Sequence, residues 1–214
     1  MRDFVYHGSD GCRLHATVLG QGPALILLHG GGADRRGLLP LARLLAEGLT
    51  VVLAEVRGHG RSVCACRTRR ARARYAGDVD ALLDRLGLRR AAVGGTGAGG
   101  AVALRVAAAR PERVRAALVI GREGRDGRGS ARLSDLAAIT VPTLVVADAG
   151  SPRLGALSAR AARALPHGHL ARVPLTAGGP VPALASAVWD FLVTHLTLHA
   201  AAPGRPGHRP ACHG

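Results

Sequence analysis

The stretch AAVGGTGAGGAVALRVAAA, residues 91–109, decides the fold. A short apolar segment, Ala91 to Val93, runs into a glycine cluster, Gly94-Gly95-Thr96-Gly97-Ala98-Gly99-Gly100, and then into an alanine-rich helical segment over 98–109. VRAALVI at 114–120 reads as the next strand. Strand, glycine turn, helix, strand is the local pattern of a parallel sheet with crossover helices.

The same pattern continues on both sides. Upstream, CRLHATVL at 12–19 reads as an edge strand, Gly20-Gln21-Gly22-Pro23 as a turn, and ALILL at 24–28 as a buried strand ending in His29 and a glycine loop. A helix is expected over 38–46, then a strand over 50–56 with Glu55 at its loop end. Residues 57–74 carry seven arginines and no acid; a helical pattern through Val79, Leu82, Leu83 and Leu86 follows over 75–86. Downstream, GREGRDGRGSAR at 121–132 has no period and reads as a loop. Strands are expected at 141–147 and 169–173, and helices at 153–165 and 183–199. The reading is one α/β domain over 1–199, a mostly parallel sheet with helices on both faces, with a minimal cap loop at 121–138 and a loose tail over 200–214.

Composition bounds the chemistry. Hydrophobic residues are 48% of the 214, yet Phe, Trp and Tyr supply only 2%, so the core is built from Ala, Val and Leu and base-stacking platforms are poorly supplied. The formal charge is +15, and all 29 basic residues are arginine. No apolar run approaches the roughly 20 residues of a membrane span, and no apolar signal core follows Met1-Arg2. The four cysteines do not make a disulfide-scaffold composition, so a reducing cytoplasm is expected.

Four motifs in order carry a resemblance: His29-Gly30-Gly31-Gly32, Arg57-Gly58-His59-Gly60-Arg61-Ser62, the 94–100 cluster followed by Arg110-Pro111-Glu112-Arg113-Val114, and Val141-Pro142-Thr143-Leu144-Val145-Val146. From about Cys12 to Leu196 the chain resembles the α/β-hydrolase superfamily, in particular its cofactor-free haloperoxidase, esterase and lactonase-like group. That family's nucleophile elbow reads G-x-S-x-G-G. Aligned on Gly99-Gly100, the resemblance places Gly97 at the nucleophile position. The other register, Gly94 to Ala98, offers Thr96, but leaves Ala98 where close packing needs glycine and turns the side chain to the opposite face. For the acid the resemblance gives Ser151, with Asp148 at the turn's first glycine as the fallback. For the base it gives Gly179, or Gly178 in the other register, and no His lies between His169 and His195. The N–H groups of Gly31 and Ala98 are expected to form an oxyanion-hole-like pair. His29, Glu55, Arg57 and His59 are expected to be structural loop residues, Glu55 bonding loop backbone.

The resemblance therefore implies a catalytically degenerate hydrolase that binds a small molecule and needs no cofactor. A small active esterase or haloperoxidase-like hydrolase of ester-type molecules, drawing on Thr96 and Asp148, is the alternative. An Arg-rich anion- or nucleic-acid-binding protein is a second one. Against it, 16 arginines fall in residues 1–107 and 13 in the rest, a spread that resembles compositional bias more than a phosphate groove. His59, Cys64 and Cys66, with Cys212 or His213, lack the two-residue gap of zinc knuckles and sit among arginines, so no metal is expected. No protein partner is legible.

Overall fold

The computed structural model describes residues 1–30, 35–63, 68–121, 133–175 and 181–196, the side chains of 68–73 and 133–134 excepted. Eight strands form one sheet: β1 (Arg2–His7), β2 (Arg13–Leu19), β3 (Ala24–Leu28), β4 (Thr50–Ala54), β5 (Ala91–Thr96), β6 (Val114–Ile120), β7 (Thr143–Asp148) and β8 (Gly168–Val173). Their order across the sheet is β1-β2-β4-β3-β5-β6-β7-β8. β2 runs antiparallel to both β1 and β4, and the pairs from β4 to β8 are parallel. The mostly parallel α/β sheet read from the sequence is thus the architecture the chain adopts.

The helices are α1 (Leu39–Leu45), entered through a 3-10 turn at Arg35–Leu38, α2 (Thr68–Arg85), α3 (Ala98–Ala109), the single turn α4 (Leu133–Leu136), α5 (Pro152–Ala164) and α6 (Val181–Leu196). Proline stands in the first turn of α1 and α5, where its missing N–H costs nothing. Arg110 ends α3 with φ −140° and ψ 54°, outside the helical region that a following proline, Pro111, disfavours.

Alternation along each strand sends side chains to two cores. On one face Ile26, Leu28, Val52 and Val93 pack with Leu82 and Leu83 of α2, Val102 and Val106 of α3, and Ala162 of α5. On the other, Leu25, Leu27, Val51, Leu53 and Leu118 pack with Leu41 and Leu45 of α1 and Val188 and Leu192 of α6.

Three differences from the sequence reading have local causes. β1 was not expected: its residues mix polar and apolar side chains, and its pairing with β2 from Arg2↔Val18 to His7↔Arg13 is what makes it a strand. α2 begins at Thr68 rather than near residue 75, because arginine and alanine are strong helix formers even where they give no apolar stripe. β5 continues through Gly94 and Gly95 to Thr96, held by parallel pairing to β6. Cys12 is disulfide-bonded, which the cysteine spacing did not predict. Most of the 121–138 loop and all of the 200–214 tail lie outside the described residues. Among the described residues no helix is long and apolar enough to cross a membrane.

Candidate functional site

β5 ends at Thr96 and α3 begins at Ala98, so the chain reverses at Gly97, whose φ of 51° and ψ of −116° lie where a Cβ is strained. The first helical hydrogen bond runs from the Ala101 N–H to the Gly97 carbonyl, 3.2 Å. The turn is tight because β3 passes close beneath it. A Cβ at Gly95 would stand 2.5 Å from the Leu28 carbonyl oxygen, and one at Gly99 2.2 Å from it and 2.6 Å from that of His29. The N–H groups of Ala98, Gly99 and Gly100 form the first turn of a twelve-residue helix, where they lack intrahelical acceptors and the helix dipole favours an anion.

Thr96 is half-buried beside Gly30; a Cβ on Gly30 would lie 3.5 Å from Thr96 Oγ1. Gly31, the other half of the expected oxyanion pair, lies outside the described residues, as do Gly178 and Gly179. Asp148 closes β7, one strand from β6, whose last residue Ile120 pairs with Thr96. Its Oδ1 accepts the N–H of Gly150 at 3.0 Å and of Leu175 at 3.1 Å, tying the loop after β7 to the loop after β8. Ser151 is the residue before α5; its backbone is extended, its side chain makes no cap bond, and its N–H donates to the Asp148 carbonyl at 3.2 Å. Thr96, Gly97, Asp148 and Leu175 thus share the C-terminal edge of the sheet.

His195 does not. Its ring packs edge-on against His169, 5.1 Å between centroids, and at a tilt against Phe191, 4.6 Å. His169 opposes Leu144 near the start of β8, four residues before Val173 and so about 13 Å along the strand from the elbow's end of the sheet. Burial, then His169, pushes the His195 pKa below the ordinary histidine value.

The turn after β4 is a polar buttress. His29 is buried; its Nδ1 pairs with the Gly30 carbonyl at 2.9 Å and its Nε2 accepts the Val56 N–H at 3.1 Å, which fixes a neutral Nδ1–H tautomer. His59 packs edge-on against it, 5.4 Å between centroids. Glu55 Oε2 accepts the Arg61 N–H at 2.6 Å and Oε1 accepts Arg35 Nη1 at 2.5 Å. Arg57, with its side chain 1% exposed, donates Nε to Asp78 at 2.9 Å and Nη1 to Asp10 at 2.7 Å. Hydrogen bonding to Arg57 holds the Asp10 carboxyl well below the usual range, while burial, opposed by Arg57, pushes Asp78 up. Burial also raises the pKa of Tyr6. Sequence reading missed Asp10, Asp78 and Arg35, and no local signal marks partners 20 to 47 residues away in the chain.

Within the arginine run, Arg57, Arg61 and Arg74 are each paired with a carboxylate: Arg57 with Asp10 and Asp78, Arg61 with Asp3, Arg74 with Asp10. Among the described residues, no cluster of three His, Cys, Asp or Glu could hold a metal. Cys64, Cys66, Cys212 and His213 lie outside them.

Residues 23–194 match the family model for the alpha/beta hydrolase fold. An uncharacterized hydrolase of Bacillus subtilis, YraK, is 34% identical over 105 residues, covering 49% of this chain and 39% of that protein. The 2-hydroxy-6-oxo-6-phenylhexa-2,4-dienoate hydrolase of Burkholderia cepacia is 32% identical over 121 residues, 55% of this chain and 42% of that one. The match therefore spans about two fifths of the length of these relatives. Among solved structures, an α/β hydrolase of Sphaerobacter thermophilus superposes with a TM-score of 0.77 at 20% identity, covering 88% of this chain and all of that one. The enol-lactonase of Burkholderia xenovorans superposes at 0.71 with 20% identity, over 89% and 100%. At such identities the superpositions speak for the fold alone.

Proposed function

The chain belongs to the α/β-hydrolase fold family, and from that premise we propose that it is a catalytically degenerate member which binds a small carbonyl or carboxylate compound at the elbow without forming an acyl-enzyme. The observation that carries this reading is Gly97: it occupies the left-handed turn between β5 and α3, where the family's nucleophile side chain would stand, and it has no side chain. Gly95 and Gly99, two residues to either side, lie against β3 as that register requires.

A covalent route needs a nucleophile, a base within hydrogen-bond reach and a group that orients the base. In this alignment the three positions hold Gly97, Gly179 and Ser151. Asp148, the nearest carboxylate by sequence, accepts two backbone N–H groups and so holds loops together. What remains is the electrostatic half of the site: the first-turn N–H of Ala98, joined by that of Gly31, would receive a carbonyl or carboxylate oxygen. A short cap over 121–138 would leave this ligand open to water, which weakens electrostatic catalysis further.

A second reading, a small active esterase- or haloperoxidase-like hydrolase of ester-type molecules, is favoured by the two relatives described above, both named hydrolases, and by a structural neighbour that is an enol-lactonase. In it Thr96 would supply the hydroxyl and Asp148 the acid. One assay separates the two. Purified protein incubated with short-chain aryl esters and with a serine-directed phosphonate is expected to show no turnover above buffer and no adduct. A burst of product, or stoichiometric phosphonylation of Thr96, establishes the second reading instead.

A further inference from the structure

Away from the elbow, β8 and α6 bring two imidazoles together. His169 lies on the outermost strand of the sheet, on the face whose next side chain, Ala171, packs toward α6. His195 stands in the last turn of α6. Their ring centroids are 5.1 Å apart with the planes at 62°, and the buried Phe191 touches both, at 5.3 Å and 4.6 Å.

These two rings differ from His29 and His59, whose nitrogens are committed to the backbone around the turn after β4. Among the described residues no hydrogen bond reaches a ring nitrogen of His169 or His195. The lowered pKa of His195 leaves its imidazole neutral at pH 7, with a lone pair to give. The spacing suits a shared ion. Tetrahedral zinc holds imidazole nitrogens at about 2.0–2.1 Å, and each ring centre lies roughly 1.1 Å behind its nitrogen, so two rings on one ion have centres about 5.2 Å apart. His169 is exposed, so its ring is free to turn about the Cβ–Cγ bond and aim a nitrogen at that point.

The surrounding charge permits a cation as well. In a chain with 29 arginines α6 has none, and Arg172 of β8 falls on the opposite face of the sheet from His169. The C-terminal end of a sixteen-residue helix also carries partial negative charge.

We propose that His169 and His195 together bind one borderline divalent transition-metal ion, of the class of Zn²⁺, Ni²⁺ and Cu²⁺, which pins α6 to the edge strand of the sheet. Two protein ligands leave the remaining coordination positions to water, so the site is a reversible surface chelate. Imidazole suits these ions, whereas Mg²⁺ and Ca²⁺ take oxygen ligands. The pair lies about 13 Å along the strand from the elbow's end of the sheet, so the inference stands whatever the elbow does.

Trp189, the chain's only tryptophan, precedes His195 by six residues, about 9 Å along the helix. Cu²⁺ held by the pair quenches its fluorescence, which gives a titration a local readout. The full chain titrated with Cu²⁺ near neutral pH is expected to show saturable one-to-one quenching, relieved by excess Zn²⁺ but not by excess Mg²⁺. His169→Gln and His195→Gln are each expected to weaken binding by about tenfold or more, because the second ligand of a chelate acts at high effective concentration. His7→Gln, on the opposite edge strand, is the control and is expected to bind as the parent does. His199, His208, Cys212 and His213 are the rival ligands in the sequence. Quenching that survives His169→Gln/His195→Gln undiminished assigns the ion to them and overturns the proposal. No saturable quenching, dependence on only one of the two imidazoles, or equal loss in His7→Gln overturns it too.

Discussion

At Gly99 a Cβ would stand well inside van der Waals contact of two backbone carbonyl oxygens, those of Leu28 at the end of β3 and of His29 just after it, neither at the end of a flexible side chain. Gly99→Ala should therefore destabilise the protein by about 2 kcal/mol or more, as overpacking against backbone does. That outweighs the ~1 kcal/mol that alanine contributes over glycine in a helix. Gly97 is glycine for another reason. Its φ of 51° carries a conformational cost for any side chain, and Gly97→Ser should lose about 1 kcal/mol and gain no ester hydrolysis. Urea melts of both variants, paired with an aryl-ester assay of the second, check these outcomes. Stabilisation with turnover in Gly97→Ser would show that the elbow register is wrong. The glycine cluster was legible in the sequence, but which glycine meets β3 and which adopts positive φ was not, since neither leaves a mark in the residue types.

The turn after β4 is held as an element by one cation. Arg57 lies between Asp10, in the β1–β2 connection, and Asp78, in α2, so it joins three segments. Removing it leaves the buried Asp78 carboxylate without its hydrogen-bonded counter-charge, and Arg57→Ala should cost about 3–5 kcal/mol at neutral pH. The pH dependence gives the mechanism away. In that variant the folded-state pKa of Asp78, already raised by burial, loses the guanidinium that opposes the rise. The folded state then binds more protons than the unfolded one above the ordinary Asp value near 4, so stability increases as pH falls from about 7.5 to 5. The parent should show a smaller gain of the same sign, because there Arg57 opposes the rise of the Asp78 pKa. There Asp10 is held below its ordinary value, and its contribution is present above pH ~4 and lost only on further acidification. Denaturant midpoints of parent and variant at the two pH values measure the difference. The motif Arg57 to Ser62 was visible as a turn; its anchoring was not, because Asp10 and Asp78 sit 47 and 21 residues from Arg57.

Over the whole molecule, positive charge is in excess, and part of what the structure describes is locally neutralised. Arg57, Arg61, Arg74, Arg110 and Arg113 all lie against aspartates. Such pairing reduces the charge available to a phosphate backbone. Mixed-sequence duplex DNA should bind weakly near physiological salt, and replacing Arg67, Arg69, Arg70, Arg72 and Arg74 together by Gln should matter only at low salt. A steep fall of affinity with salt, mostly abolished in that variant, would show a phosphate-binding surface, since each contact contributes close to one to the slope.

The sequence by itself determined the succession of strand, turn and helix from residue 12 to 196 and the two-faced apolar core, because those rest on short-range period and on where glycine and proline interrupt it. It also carried the family resemblance, whose motifs are contiguous runs. The tertiary structure decided the rest. It made residues 2–7 a strand by giving them a partner, and brought Thr96, Asp148 and Leu175 to one edge of the sheet. It placed His195 against His169 near the start of β8, away from that edge. It also closed Arg35 between Asp3 and Glu55. Each of these joins segments far apart in the chain, and such contacts follow from strand order and packing rather than from any local pattern of residue types.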